Sequence, residues 1–145
     1  MYEYNYNKDM IKRNDLIYPE LCYKIVGILY DVFNEVGPGH KEVLYQKAIS
    51  IAFDKNKIHF SEQVYTPLKY QNMQIGKYFL AFLIENKIVL EIKKDSIFRK
   101  QNIDQVFSYL RASNLKLGII ANFARNGVKF KRIVNINKSN ESLVH

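Results

Sequence analysis

The spacing of apolar residues changes three times along this chain of 145 residues, and these changes are the strongest constraint on its fold. From residue 15 to residue 57, apolar residues recur at steps of three and four, which is typical of amphipathic helices. Residues 64–93 instead predict three short strands, and the helical spacing returns over residues 99–113. The continuous apolar run 117–123 then predicts a strand buried on both faces. The pattern therefore indicates a domain that mixes helices with a sheet.

The predicted elements follow in the order helix, helix, three strands, helix, strand and strand. They span residues 15–36, 41–57, 64–70, 76–84, 88–93, 99–113, 117–123 and 130–134. Three consecutive strands fit a meander, and a helix between the third and fourth strands fits a crossover. We therefore expect an α/β or α+β fold, with a mixed sheet flanked by helices.

Turn and capping residues set the expected limits of these elements. Asp15 can cap the first helix, and the sequence GPG at 37–39 ends it. Pro67 favours an edge position or a bulge for the first strand, because it cannot donate a backbone hydrogen bond. We expect one domain over residues 15–136. Residues 1–14 before it and residues 137–145 after it are expected to be flexible.

Positive charge is concentrated in one part of the chain. The formal net charge is +8, from 22 Lys and Arg residues against 14 Asp and Glu residues. Residues 93–132 hold ten of the basic residues and only Asp95 and Asp104, so this segment accounts for the whole excess. A concentrated basic region favours a polyanionic partner, most commonly nucleic acid. The charge alone is equally consistent with a solvated basic face.

The remaining composition points to an intracellular protein. The single cysteine, Cys22, lies within an apolar helical pattern, so we interpret it as a small core residue in a reducing compartment. No signal peptide and no apolar run of membrane-spanning length is apparent. We therefore expect no membrane association, and a location in the cytoplasm or with the nucleoid or nucleus.

A carboxylate and an ammonium group lie two residues apart on the third predicted strand. Glu91 and Lys93, within the sequence IVLEIKK, project to the same face of a strand. Such a pair near the end of a strand is either a solvated ion pair or a functional site. The tripeptide E-x-K is common, so this pair alone favours the solvated interpretation.

The neighbouring strand gives this pair a specific context. If residues 85–87 form a three-residue hairpin loop, Ile84 pairs with Ile88 and Ala81 then lies opposite Glu91. Directly opposed residues have Cβ atoms about 5 Å apart. A carboxylate at position 81 would therefore share a divalent cation with Glu91, but the position holds alanine.

Four short motifs follow one another along the chain in a fixed order. They are Gly39-x-x-Glu42-x-x-Tyr45, Glu91-x-Lys93, Gln105-x-x-x-Tyr109-Leu110, and Asn122-Phe123 followed by Arg132-Ile133-Val134. In this order the chain resembles the GxxExxY-type branch of the PD-(D/E)XK nuclease superfamily. Each motif is weak by itself, and the resemblance depends on their shared order on compatible elements.

The resemblance implies a restriction-endonuclease-like αβββαβ core and metal-dependent hydrolysis of phosphodiesters. At individual positions, the resemblance implies that Glu91 is a metal ligand and that the carboxylate of Glu42 lies near the metal. Lys93 would orient the attacking water or stabilise charge on the phosphate, and Gln105 would face the site from the crossover helix. For Tyr45 we favour a packing or orienting role. The implied cofactor is Mg²⁺ or Mn²⁺, since the ligands are oxygen atoms.

The chain departs from the family pattern at Ala81. The family has Asp there, in a strand of the type Y-x-x-D-L-L-V, and the loss of one of two central carboxylates weakens metal binding. Three explanations remain open at this point. In the first, Ala81 is an engineered substitution that inactivates the protein. In the second, it is a natural loss that leaves a binding protein without catalysis. In the third, the strand register differs and Glu62 or Glu85 takes the place of the missing carboxylate.

Nucleic acid is the partner that the resemblance and the charge both imply, with DNA favoured over RNA. The expected contacts are basic side chains that follow the E-x-K motif, at Lys94, Arg99, Lys100 and Arg111. The alternative function is a catalytically inactive module that binds nucleic acid or a protein on the same fold. An exposed strand edge could also pair with a second copy, so a homodimer stays open.

Overall fold

The computed structural model describes residues 17–136 and confirms the predicted order of helices and strands. The elements are α1 (Pro19–Val36), α2 (Glu42–Lys55), β1 (Phe60–Tyr70), β2 (Met73–Ile84), β3 (Ile88–Lys93), α3 (Lys100–Ser113), β4 (Leu117–Ala124) and β5 (Gly127–Val134). The predictions for residues 1–14 and 137–145, and for a cap at Asp15, lie outside the described residues. None of the helices in 17–136 is long and apolar enough to cross a bilayer.

The strands form one five-stranded sheet in the order β1-β2-β3-β4-β5. β2 pairs antiparallel with both β1 and β3. β3 and β4 are neighbours joined through helix α3, a crossover of the kind that links parallel strands. The sheet is therefore mixed, as predicted, and the α+β fold is confirmed.

The boundaries differ from the prediction mainly in the hairpin of β1 and β2. Tyr70 pairs with Met73 across the two-residue turn Gln71-Asn72, so β2 begins at Met73 rather than at residue 76, while β1 ends at residue 70 as predicted and begins earlier, at Phe60. Both turn residues have positive φ, of 49° and 65°, as a tight hairpin turn requires. The sequence did not predict the start of β2 because residues 73–75 are all exposed and are too few to show a strand pattern by themselves.

The start of α1 also differs from the prediction. The helix begins at Pro19 rather than at Asp15. Proline fits the first turn of a helix, and the residue before a proline is disfavoured in the helical region. Tyr18 instead has a left-handed backbone, with φ of 49°.

The chain folds as two compact units that are interleaved in sequence. Unit 1 comprises the residues up to His59 together with Ile92–Ile97 and Ala121–Phe130. Unit 2 comprises Phe60–Glu91, Phe98–Ile120 and the residues from Lys131 onward. That residues 15–136 form one domain stays a prediction.

The core of unit 1 is built on the apolar stripes of α1 and α2. Phe33 of α1 lies against Tyr45 of α2 and Phe123 of β4, with ring centroids 6.4 and 5.9 Å away. All three side chains are buried. Cys22 lies buried on α1 as a thiol outside any disulfide, which confirms its predicted place in the core.

The core of unit 2 lies where α3 packs on the sheet. Its buried members are Val64, Leu80, Val89, Val106, Leu110, Ile120 and Ile133. The close approach of α3 depends on Gly118 of β4. A Cβ atom at this position would lie 2.5 Å from Val106 Cγ1 and 3.1 Å from Val89 Cγ1. The absence of a side chain at Gly118 therefore lets these two valines meet.

We predict that Gly118→Ala lowers the free energy of unfolding by about 1 to 3 kcal/mol, because the added methyl group overfills this contact. Urea denaturation followed by circular dichroism measures the change. Gly76→Ala is the matched control, since a Cβ atom at Gly76 meets nothing within 4 Å. Equal losses for the two variants would contradict the close packing at Gly118.

Candidate functional site

In unit 1, the turn before α2 binds the end of the E-x-K strand. Gly39 has φ of 88°, a backbone conformation that favours glycine. Its carbonyl oxygen accepts a hydrogen bond from Lys94 Nζ at 3.2 Å. Lys94 directly follows β3, so this turn is tied to the strand that carries the motif.

Glu42 makes a second contact with the same residue. It is the first residue of α2, one position after the predicted start, and its Oε1 accepts a hydrogen bond from the backbone N–H of Lys94 at 3.0 Å. A carboxylate at a helix start is also favoured by the helix dipole. Glu42 therefore positions the backbone next to Lys93, and one of its oxygen atoms is engaged in doing so.

Tyr45 completes the GxxExxY motif from inside the core. Its side chain is buried, and its ring stacks on Phe123 with centroids 4.4 Å apart and planes at 19°. Its hydroxyl donates to Gly37 O at 2.7 Å and accepts from His40 N at 3.4 Å. Tyr45 therefore fixes the turn that presents Gly39, which is the packing and orienting role predicted for it.

Unit 1 also contains a pocket of about 470 Å³ beside this turn. It is lined by Pro38, Gly39, Lys94, Asp95, Ser96, Phe123, Ala124 and Arg125. Asp95 Oδ1 accepts hydrogen bonds from the backbone N–H groups of Ser96 and Ile97 at 2.8 and 3.3 Å, so this oxygen atom stabilises the loop that contains Asp95. Lys94 and Arg125 bring positive charge to a cleft of the size of ligand pockets.

In unit 2, the hairpin of β2 and β3 has the predicted register. Ile84 pairs with Ile88, and the ladder continues to Phe82 and Leu90. Ala81 and Glu91 are the next residues along their strands. Their direct opposition lies one step beyond the ladder and stays a prediction.

Both of these positions are buried. Glu91 is 6% exposed and Ala81 is 5% exposed. Burial of a carboxylate is costly unless polar or charged groups compensate it, so a buried Glu is typical of a structural network or a functional site. Lys93, two residues further along the same strand, is half-buried.

Tyr78 links Glu91 and helix α3 within unit 2. Its hydroxyl donates to the backbone carbonyl of Gln105 at 3.0 Å. Burial raises the pKa of Tyr78, and the negative charge of Glu91 raises that pKa further. Glu91 therefore interacts electrostatically with the same hydroxyl group that is hydrogen-bonded to the backbone of α3. Gln105 itself is half-buried, and its side-chain role stays a prediction.

The donor set does not fit the implied divalent cation. Mg²⁺ usually requires one or two protein carboxylates with octahedral geometry. Position 81, where the family pattern has Asp, holds a methyl group, and β3 carries one carboxylate, Glu91. Within residues 17–136, no three His, Cys, Asp or Glu side chains come together as a metal-binding group. Neither Glu62 nor Glu85 therefore replaces the missing carboxylate in such a group.

The four predicted basic contacts do not all lie in one unit. Lys94 belongs to unit 1, whereas Arg99, Lys100 and Arg111 belong to unit 2. Lys100 and Arg111 lie at opposite ends of α3. Lys100 forms an exposed ion pair with Asp104 at 2.9 Å, and this partner raises the pKa of Lys100. Arg111 lies over the ring of Phe107, with Cζ 5.9 Å from its centroid.

Comparison with known proteins decides the family. A family model described as the PD-(D/E)XK nuclease superfamily matches residues 19–133. This chain belongs to the PD-(D/E)XK nuclease superfamily. Its predicted restriction-endonuclease-like fold is thereby confirmed, and proteins of this superfamily generally use divalent metals to act on nucleic acid.

Other comparisons add little. No curated protein matches the chain. A solved structure titled "Crystal structure of SSO0001" is similar to it, with 14% sequence identity and a TM-score of 0.48. The match covers 85% of this chain, which spans only 60% of the length of that one.

Two features of this superfamily member were not predicted from its sequence. One is the pair of contacts from Lys94 to Gly39 and Glu42, which join residues more than 50 positions apart. The other is Tyr78, whose hydroxyl is bound to the backbone of Gln105. The motif Y-x-x-D of the family pattern includes this tyrosine and was the available signal.

We predict that Tyr45→Phe lowers the free energy of unfolding by about 1 kcal/mol, because it removes the buried hydrogen bond to Gly37 and keeps the ring. Urea denaturation measures the loss. Tyr70→Phe is the control, because Tyr70 is 63% exposed and its hydroxyl accepts a hydrogen bond from the exposed side chain of Gln71. A loss as large for Tyr70 would show that the turn does not depend on Tyr45.

We predict a pH-dependent effect for Tyr78→Phe. Because the folded pKa of Tyr78 is raised above its ordinary value of 10.0, its stabilising contribution is fully present below pH 10. It is lost as the pH rises through the folded pKa. The variant should therefore be less stable than the wild type by about 1 kcal/mol at neutral pH, and the difference should shrink above pH 10. Denaturation curves between pH 7 and 11.5 give this difference (about 0.5-unit steps suffice). A constant difference over that range would refute the assignment.

Proposed function

We propose that this chain is a GxxExxY-type nuclease whose metal-dependent cleavage of nucleic-acid phosphodiesters is impaired by Ala81. The observation that carries the proposal is that Glu91 and Ala81 are both buried, each one residue beyond the ladder pair of Phe82 and Leu90. The chain retains this buried carboxylate although the residue that would share a cation with it is absent. The proposed substrate class, nucleic acid, is based on membership of the superfamily.

The proposed roles follow the family motif position by position. Glu91 is the retained metal carboxylate, and Lys93 orients the attacking water or stabilises charge on the phosphate. Gln105 faces the reacting groups from α3. Glu42 acts on the site through the backbone of Lys94, a role that its 3.0 Å hydrogen bond supports. An additional contact of Glu42 with a metal is part of the same proposal.

The cofactor in this proposal is Mg²⁺ or Mn²⁺, held weakly. The methyl group of Ala81 offers no oxygen, so Glu91 lacks the second central ligand that the family pattern provides. A single carboxylate binds such ions poorly without further oxygen ligands. We therefore assign no catalytic step to a metal in the protein with Ala81.

The proposed substrate is DNA rather than RNA, bound through its phosphate backbone. Supporting charges are the exposed side chains of Lys94, Arg99, Lys100 and Arg111. The pocket with Lys94 and Arg125 in its lining adds a cleft suited to an anion. Such binding weakens as salt rises, because each neutralised phosphate releases counterions. A homodimer remains part of the proposal, with no strand assigned to its interface.

A second function is favoured by Ala81 itself. If the loss at this position is natural, the protein is a catalytically inactive module that binds nucleic acid or a protein partner. The missing carboxylate is the specific observation for this alternative. The two functions differ in whether a carboxylate at position 81 is sufficient for cleavage.

We predict that Ala81→Asp gains Mg²⁺- or Mn²⁺-dependent cleavage of plasmid or oligonucleotide DNA, at a rate at least about a hundredfold above the wild type. The variant should also bind Mn²⁺ more tightly in calorimetry. Ala81→Asn is the matched control, since it adds the same volume without the charge and reports any damage from overfilling a buried position. Circular dichroism confirms that both variants fold.

Adding Glu91→Gln or Lys93→Ala to the Ala81→Asp variant should remove the gained cleavage. A folded Ala81→Asp variant that binds Mn²⁺ but cuts neither DNA nor RNA would sink the nuclease proposal and leave the inactive binding module. Equal cleavage by the wild type and by Ala81→Asp would instead show that Ala81 does not impair the site.

A further inference from the structure

The outer half of the hairpin of β1 and β2 is a two-stranded ribbon without a covering layer. We name residues 67–77 the hairpin arm, and no residue of this arm is buried. Its large apolar side chains are exposed by 49% at Leu68, 63% at Tyr70, 72% at Met73 and 66% at Ile75. The inner part of the same hairpin, by contrast, buries Val64, Thr66 and the end of β2.

Such an arm is expected to have an occupant. An isolated two-stranded ribbon is marginally stable in water, and concentrated exposed apolar side chains mark interaction surfaces. A side-chain contact nevertheless connects the arm to the inner part of the hairpin. Gln74 Nε2 donates to the hydroxyl of Tyr65 at 2.7 Å, and the Tyr65 ring meets Phe79 on the other strand with centroids 5.9 Å apart.

The charge of the hairpin favours a polyanion as that occupant. Residues 63–84 contain Lys69 and Lys77 and no Asp or Glu. Lys77 extends over the ring of Phe79, with Nζ 5.9 Å from the centroid, which keeps its charge on the surface of the hairpin. Amide side chains at the tip, at Gln71 and Asn72, can both donate and accept hydrogen bonds, as contacts to base edges require.

The edge of β1 is poorly suited to pairing with a second copy of the chain. β1 is the outer strand of the sheet. Pro67 cannot donate a ladder hydrogen bond, and the pairing is irregular between Leu68 and Lys69. Proline, lysine and bulges are the features by which edge strands avoid joining another sheet. The exposed side chains of the arm remain available for a different partner.

We propose that the hairpin arm inserts into the major groove of duplex DNA. This inference rests on the proposed function, and it narrows the substrate to a double helix of the B form. Two paired strands lie about 4.8 Å apart, and a major groove about 12 Å wide admits such a ribbon. The deep and narrow major groove of duplex RNA does not. Lys69 and Lys77 contact phosphates, while Met73 and Ile75 contact base edges and thymine methyl groups.

Fluorescence anisotropy with a labelled DNA duplex of about 30 base pairs tests the arm, since that length exceeds a typical module's site. Chelator in the buffer keeps binding separate from cleavage. Lys69→Gln with Lys77→Gln should reduce the slope of log K against log salt by about 2, one for each phosphate contact. Met73→Ser with Ile75→Ser should weaken binding about tenfold and leave that slope unchanged. Lys24→Gln with Lys55→Gln is the control for net charge, because both lysines are exposed and lie outside the arm.

The outcomes separate this inference from the proposed function. If the wild type binds duplex DNA and both arm variants bind it equally well, the arm assignment is wrong and the proposed function stands. Binding of no nucleic acid by the wild type would remove both. Equal, arm-dependent affinity for an RNA duplex would overturn the assignment to DNA. A wild-type dimer in light scattering that Met73→Ser with Ile75→Ser converts to a monomer would make the arm a self-association surface instead.

Discussion

Within unit 1, the GxxExxY motif depends on two hydrogen bonds to one lysine. The carbonyl of Gly39 binds the ammonium group of Lys94, and the carboxylate of Glu42 binds its backbone N–H. Tyr45 anchors the turn from below by a 2.7 Å hydrogen bond to Gly37. Three motif positions thus serve one purpose, since they fix the chain where it leaves β3. Lys93, which the proposed chemistry requires, is the residue immediately before this anchor.

Unit 2 contains a buried carboxylate, Glu91, which is 6% exposed. Burial raises the pKa of Tyr78, and the charge of Glu91 raises that pKa further. The Tyr78 hydroxyl in turn donates to the backbone carbonyl of Gln105. Removal of a charged group from water must be compensated by its surroundings. Under the proposed function, Ala81 removes the second metal ligand while Glu91 stays buried.

Local sequence signals predicted the parts of the fold that depend on neighbours in the chain. The start of α2, predicted at residue 41 and found at Glu42, and the pairing of Ile84 with Ile88 follow from helix spacing and loop length. The start of β2 at Met73 was missed because residues 73–75 are all exposed and are too few to show a strand pattern by themselves. The contact between Glu42 and Lys94 was missed because no local pattern encodes a pair so distant in sequence. The sequence thus predicted which residues belong to the candidate site, but it did not predict the contacts between them.

The anchoring role of Gly39, Glu42 and Tyr45 changes what their motif can diagnose. Each of the three positions is explained by the turn and by Lys94, with no reference to the residue at position 81. Selection on the motif can therefore persist in a lineage after cleavage has been lost, since the scaffold still needs its anchor. A chain recognised by this spacing is identified by its architecture. Whether such a chain cleaves nucleic acid depends on other residues, above all on the residue at position 81 of β2.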